Sequence, residues 1–159
     1  MIVLKSAAEL AIMREAGRIV ARVLEAIREA ARPGVTTTEL DALAERILEQ
    51  HNARPVFKGY TFSEEIPPFP ATITASVNEE LVHGIPGSRR LREGDLFTAD
   101  CGCLYNGFVG DAAITIGIGT ISPEAQRLLD VTNEALAVGI AAAKAGNRIG
   151  DVSAAIQCY

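Results

Sequence analysis

Histidine is scarce in this sequence, with two residues in 159, and cysteine lacks every pattern that would give it a structural role. Three cysteines, an odd number with no Cys-x-x-Cys pair, give neither a disulfide framework nor a thiolate zinc site. Cys101 and Cys103 lie two apart and are expected to point into a core as reduced, small hydrophobes, which fits a cytoplasmic protein. No apolar run approaches the roughly 20 residues needed to span a bilayer, and no signal peptide opens the chain, so no membrane partner is expected. Basic residues are outnumbered, 15 Lys and Arg against 20 Asp and Glu, and the net charge of −5 excludes the clustered positive surface that nucleic acid requires. What remains is 48% hydrophobic and 22% charged, enough for one domain with a real core across residues 1–159.

The chain alternates helical and strand signals, an α+β pattern. Ser6-Ala-Ala-Glu9 is a capping box that opens a helix to about Ala31, with Leu10, Met13, Gly17, Val20, Leu24 and Ile27 at helical spacing. Thr36-Thr-Thr-Glu39 is a second box, and its helix runs to about His51, a favourable cation near a helix C-terminus. Residues 54–71 are loop-like, rich in proline, with Phe57, Tyr60, Phe62 and Phe69 among them. A strand pattern covers Ala71 to Val77, and turns follow at Asn78-Glu79-Glu80 and His83-Gly84-Ile85-Pro86-Gly87. Ser122-Pro123 caps a helix to about Ala145, and Gly150-Asp151 starts another.

One stretch organises the rest. Leu96 to Thr115 contains Asn106-Gly107, the pair a two-residue type I′ turn demands because both central residues need φ > 0. Taken literally, that turn sets Tyr105 opposite Phe108, Cys103 opposite Gly110 and Gly102 opposite Asp111. Asp100 and Asp111 then become diagonal neighbours on one face, about 7–8 Å apart, beside a glycine without bulk. The other face reads Phe97, Ala99, Cys101, Cys103, Tyr105, Phe108, Ala112, Ile114 and Ile116, and is expected to be core.

Two such carboxylates repel unless a proton or a cation lies between them. Solvated carboxylates on an exposed sheet are the plain alternative. Each Asp, however, sits in a run of apolar or small residues, and no Lys or Arg lies between Arg92 and Arg127 to neutralise it. A divalent metal answers both facts. Oxygen ligands alone suit Mg²⁺, Ca²⁺ or Mn²⁺, and an added imidazole favours Mn²⁺, Fe²⁺, Co²⁺ or Zn²⁺. His83, in a turn, is a candidate acid or hydrogen-bond donor for such a site. The aromatic residues of 57–69 could wall an apolar pocket, or simply pack.

An internal match accompanies this layout. At a shift of 112 residues, Ala30-Ala31-Arg32-x-Gly34 lies over Ala142-Ala143-Lys144-x-Gly146, and Glu39-Leu40-x-Ala42 over Asp151-Val152-x-Ala154. The match is short and alanine-rich, so chance competes with duplication as its cause. Under duplication, a second copy of the unit begins at about residue 118 and stops before its strands.

The strings Ser76-Val-Asn-Glu-x-x-Val-His83-Gly-Ile-Pro, Glu93-Gly-Asp95, Asp100 and Asn106-Gly107-Phe-x-Gly-Asp111 resemble those of type I methionine aminopeptidases, over essentially the whole chain. The Asp pair alone would indicate only the wider creatinase and prolidase group, and the VNE and VHGIP strings disfavour a prolidase-like relative. The resemblance implies the pita-bread fold, two α/β halves about a pseudo-twofold, of which this chain would be the N-terminal half: an antiparallel curved sheet covered by helices. It implies that Asp100 chelates one of two divalent metal ions (Co, Mn, Fe or Zn) and that Asp111 bridges both. His83 would bind substrate near the scissile amide as a catalytic group. Tyr60, Phe69 and Thr74 would line the pocket for a methionine side chain. The activity implied is hydrolytic removal of N-terminal methionine from nascent peptides by metal-activated water.

One further His and two Glu ligands of the family find no counterpart here. The expectation is therefore a truncated chain, inactive alone, that needs a complementary C-terminal half. The alternative is a non-catalytic half-domain that self-associates as an assembly module. Two departures stand out: Val109 occupies a position often held by His, and the loop Thr61-Phe-Ser-Glu-Glu-Ile-Pro-Pro68 is longer than usual.

Overall fold

Capping and hydrophobic spacing set the helices. The computed structural model describes residues 3–61 and 63–159, so Phe62 lies outside the described residues. The chain divides into two compact units, residues 1–120 and 121–159. The first unit opens with α1 (Ala7–Ala30) and α2 (Thr37–Gln50). Both predicted capping boxes form: Glu9 accepts from the Ser6 N–H at 2.7 Å and Glu39 from the Thr36 N–H at 2.7 Å. The stripe on α1 begins later than its spacing suggests. Ala16, Ile19, Val20, Val23, Leu24 and Ile27 are buried, whereas Leu10 is exposed.

Four antiparallel strands follow: β1 (Arg54–Pro55), β2 (Ile73–Val77), β3 (Leu96–Tyr105) and β4 (Phe108–Gly117). β4 pairs along all of one edge of β3. β2 and β1 share the other edge, β2 against Phe97–Cys101 and β1 against Cys103–Leu104. β1 falls within the stretch expected to be loop. Two residues, one a proline, carry no periodicity that a sequence could reveal. The turn between β3 and β4 has φ of 46° at Asn106 and 84° at Gly107, the two positive values a type I′ hairpin needs.

The helices cover one face of this sheet. α1 lies across β3 and β4, and α2 packs on α1 and against β1 and β2. Between them sit Ile73, Ala75, Val77, Phe97, Ala99, Cys101, Cys103 and Ile116, all buried. Tyr105 and Ile114 are half-buried against the same cluster. Ala112, expected in the core, is exposed, although it lies between Gly110, where the α1 backbone touches β4, and half-buried Ile114. A Cβ on Gly110 would stand 2.5 Å from the Ala16 carbonyl carbon, so glycine is what lets helix and strand meet.

The second unit is a helical pair, α3 (Pro123–Ala142) and α4 (Ile149–Cys158). The Ser122 hydroxyl accepts the Ala125 N–H at 3.1 Å, with proline at the first helical position. Among the described residues no helix is long and apolar enough to cross a membrane.

Candidate metal centre

The opposite face of the sheet is polar. On β2 it carries Thr74 and Ser76, on β3 Thr98, Asp100 and Gly102, and on β4 Val109, Asp111 and Thr115, by strand alternation and register. Asp100 pairs with Ala113 and Gly102 with Asp111, so the two carboxylates are offset by two residues along the ladder, the diagonal that the Asn-Gly turn dictates. The space over Gly102 is used. A Cβ there would lie 2.7 Å from Asp111 Oδ2 and 2.4 Å from Val56 Cγ2. Val56 itself is tied down by its N–H, which donates to the Gly102 carbonyl at 3.2 Å.

Asp100 is half-buried, and its Oδ1 is enclosed without a hydrogen-bond partner. Burial raises its carboxyl above the ordinary value, and the charge of Asp111 raises it further. His83 and the Cys101 backbone N–H act in the opposite sense. An enclosed acceptor oxygen beside a second carboxylate suits a divalent cation, whose charge would offset both burial and repulsion. The donor set is short, however. Among the described residues no group of three or more His, Cys, Asp or Glu is placed to hold a metal ion.

A cavity of about 780 Å³ opens beside Asp100. His83, Thr74 and Val109 line it on the sheet side, and Tyr60, Ile66 and Phe69 line it from residues 59–69. That segment closes on itself. Gly59 N–H donates to Phe69 O at 2.8 Å, Phe69 N–H to Tyr60 O at 2.8 Å, and the Thr61 hydroxyl to Ile66 O at 2.8 Å. An ion pair between Lys58 and Glu45 anchors its base to α2. Thr74 is buried opposite Asp100, and Val109 stands exposed on the Asp111 face, a methyl-bearing wall where a polar group would otherwise meet the carboxylates. The structure thus gathers His83, Asp100, Tyr60, Phe69 and Thr74 around one cavity, with Asp111 diagonal to Asp100.

His83 reaches the cavity through an unusual backbone. Val82 and His83 have φ of 45° and 53°, consecutive left-handed residues without glycine. Such conformations cost on the order of 1–3 kcal/mol each and persist only where their surroundings impose them. The constraint comes from Gly84, whose carbonyl accepts the Ala75 N–H at 2.8 Å and whose N–H donates to Ser76 Oγ at 3.2 Å. A Cβ on Gly84 would stand 2.2 Å from the Ala75 oxygen, so only glycine fits.

The remaining motif residues are scaffold. The Asn78 side chain accepts the Leu96 N–H at 2.8 Å and donates to buried Asp95 at 2.9 Å, joining the end of β2 to the start of β3. Asp95 also accepts the Arg92 N–H at 2.8 Å, and Glu80 accepts the Val77 N–H at 2.9 Å. The roles of Ser76 and Gly84 were not visible from spacing, because they depend on a contact between a turn and a strand edge. His51 is the C-cap residue of α2, and the Arg22 guanidinium lies 3.3 Å from its Nε2.

Residues 11–159 match the model of metallopeptidase family M24, and the chain belongs to that family. The fold is the half of a pita-bread architecture that the sequence strings implied. The chain is 48% identical over 160 residues to the methionine aminopeptidase of Clostridium acetobutylicum, covering all of this chain and 62% of that protein. It is 48% identical over 159 residues to methionine aminopeptidase 1 of Bacillus subtilis, again covering 62% of it. The crystal structure of a methionine aminopeptidase from Thermotoga maritima superposes with a TM-score of 0.92 at 37% identity, over 99% of this chain and 61% of that one. The chain therefore spans about three-fifths of the length of these relatives. Membership of a metallopeptidase family implies divalent metal ions, consistent with the enclosed Asp100 oxygen.

Proposed function

We propose that this chain supplies the Asp100–Asp111 side of a methionine aminopeptidase site, which hydrolyses the peptide bond after an N-terminal methionine. The observation that carries this is the convergence of an enclosed, unpartnered Asp100 oxygen, His83 and an apolar wall on one cavity. Asp100 would hold one metal and Asp111 would bridge two, with Co, Mn, Fe and Zn the candidates. When bound, such ions supply Lewis acidity and lower the pKa of water. The chain's own residues do the rest. Tyr60, Ile66 and Phe69 take the methionine side chain, and Thr74 lies behind them. His83 donates a hydrogen bond near the scissile amide, and Gly102 leaves room for the Asp111 carboxylate. Water adds across the amide, the C–N bond breaks, and the freed amine takes the proton.

Residues 1–120 would form the first half of the pita-bread fold and residues 121–159 the beginning of the second. With two carboxylates, the chain alone would bind metal weakly and cleave little. The remaining ligands would come from sequence matching the rest of the relatives, which a complementary polypeptide can supply in an assay. Its setting would be the cytoplasm, where nascent chains present their first residue.

The test is cleavage of Met-Ala-Ser with Mn²⁺ or Co²⁺, with and without that polypeptide. Release of methionine only with both present, and its loss in Asp100→Asn and Asp111→Asn, is the expected result. No release from a complex shown to have formed would overturn the enzyme reading.

A second reading has one observation behind it. Leu128, Leu136, Ile140 and Ile149 on α3 and α4 are exposed, as on a self-associating module. A stable dimer by solution mass, unable to accept the complementary polypeptide, would favour it.

A further inference from the structure

We propose that Ser76 is a positioning residue for His83, its hydroxyl fixing the peptide unit from which the imidazole projects into the cavity; this rests on His83 being the substrate-facing group proposed above. Ser76 lies on β2 with 4% of its surface exposed, so its hydroxyl must find a partner in the protein. The partner is the Gly84 N–H, at 3.2 Å. That N–H belongs to the peptide joining His83 to Gly84, and its direction is set by ψ of His83. The other bond to this turn, from Ala75 N–H to the Gly84 carbonyl, acts on the next peptide, beyond both torsions of Gly84. The two bonds thus divide the task. Ala75 holds the turn against the strand, and Ser76 holds the rotation of the His83 peptide.

The left-handed backbone of Val82 and His83 makes this hold necessary. Both residues would relax toward ordinary φ if the 83–84 peptide were free to turn, and the ring would turn with them. The contact is too close to be incidental. Gly84 sits so near β2 that a Cβ would stand 3.0 Å from Ser76 Oγ and closer still to the Ala75 carbonyl. His83 and Asp100 line the same cavity, so a turned ring changes what faces the carboxylate.

The test uses the full chain and its two histidines, with His51, the C-cap residue of α2, as internal reference. Ser76→Ala removes the acceptor. Ser76→Val and Ser76→Thr share a shape and differ only in the hydroxyl. Ring C–H signals of His83 are expected as one set in the parent and Ser76→Thr, and displaced or doubled in Ser76→Ala and Ser76→Val, with the His51 signals unmoved throughout. In the Met-Ala-Ser assay above, kcat falls by up to about 100-fold in Ser76→Ala with KM nearly unchanged, the signature of a misplaced group. Unmoved His83 signals in Ser76→Ala, or equal displacement in the Thr and Val variants, would overturn the proposal. Failure of the underlying reading looks different: His83→Ala then leaves cleavage untouched, whatever Ser76 does to the ring.

Discussion

Two glycines meet where α1 crosses β4, and alanine at each should act in opposite directions. At Gly110 an added Cβ would stand 2.5 Å from the Ala16 carbonyl carbon, 2.6 Å from its oxygen and 2.8 Å from the Gly17 nitrogen. Non-bonded carbon atoms settle at about 3.5–4.0 Å, so the helix backbone would have to retreat by about 1 Å. Backbone cannot rotate aside as a side chain can. The retreat would also loosen Ile19, Val20 and Val23, all buried against the sheet. Overpacking typically costs 1–3 kcal/mol, and a rigid partner places Gly110→Ala near the top of that range, about 3 kcal/mol. At about 2–4 °C per kcal/mol, the thermal midpoint should fall by about 6–12 °C. Gly17, by contrast, has nothing within 4 Å of its added Cβ and lies inside α1. Gly17→Ala should therefore stabilise by about 0.5–1 kcal/mol through helix propensity alone.

A third variant ties the loss to the helix. Cys103 lies opposite Gly110 and its thiol donates to the Ala16 carbonyl at 3.6 Å. If α1 lifts in Gly110→Ala, that contact is already lost, and Cys103→Ala should cost less there than in the parent, by about 0.5 kcal/mol or more. Urea unfolding of the four proteins measures this. A Gly110→Ala variant within about 0.5 kcal/mol of the parent would refute the helix–strand contact as described.

Further outcomes follow from the site face and the start of β2. Gly102→Ala should displace Asp111 Oδ2, now 2.7 Å from the Cβ position, and lower Mn²⁺ or Co²⁺ affinity by about 10–100-fold in calorimetry of the complex with its complementary polypeptide. Asp100→Asn should remove the burial cost of the carboxylate and its repulsion from Asp111, raising the thermal midpoint of the metal-free chain while abolishing metal binding. Asp41 Oδ1 accepts the Thr72 and Ile73 N–H groups at 2.8 and 2.9 Å, so Asp41→Ala should cost about 2–5 kcal/mol for two stranded donors, read by urea unfolding. Asp41→Asn keeps that acceptor. Burial raises the Asp41 carboxyl above 3.8, so the folded state binds its proton first. The parent therefore gains stability from this group as pH falls through the raised value toward 3.8, and any advantage of Asp41→Asn over the parent should shrink over the same window.

Local signals were legible because each is complete within a few residues. Ser6 with Glu9, Thr36 with Glu39, and Ser122 before Pro123 close hydrogen bonds within one turn of helix, so the string of residues is the structure. Asn106-Gly107 reached further, since one rigid turn fixes the register of ten pairs and with it the faces of Asp100 and Asp111. The sequence was silent where tertiary contact decides. β1 exists only because β3 offers it an edge, and the exposure of Leu10 and Ala112 is set by packing that helical and strand spacing do not encode. Arg22, 29 residues away, meets His51 only through the packing of α1 on α2. The placement of His83 belongs to the same class: Gly84 and Ser76 set it by meeting across a strand edge.

That distinction bears on the two readings left open for the carboxylate pair. Spacing alone could not separate solvated carboxylates from cation ligands, because both predict two Asp residues on one face. Their surroundings differ. A solvated Asp keeps its oxygens in water and its ordinary pKa, whereas Asp100 has an enclosed, unpartnered oxygen and a raised carboxyl. A buried polar atom left unpaired costs about 1–3 kcal/mol, and more when charged. Thr74 lies opposite Asp100 on the same sheet face, yet makes no bond that relieves the oxygen. Gly102, facing Asp111, leaves the carboxylate space that a Cβ would fill. A surface patch needs neither the enclosure nor that space. A cation site uses both, because one excludes competing water and the other lets the second carboxylate lie beside the first.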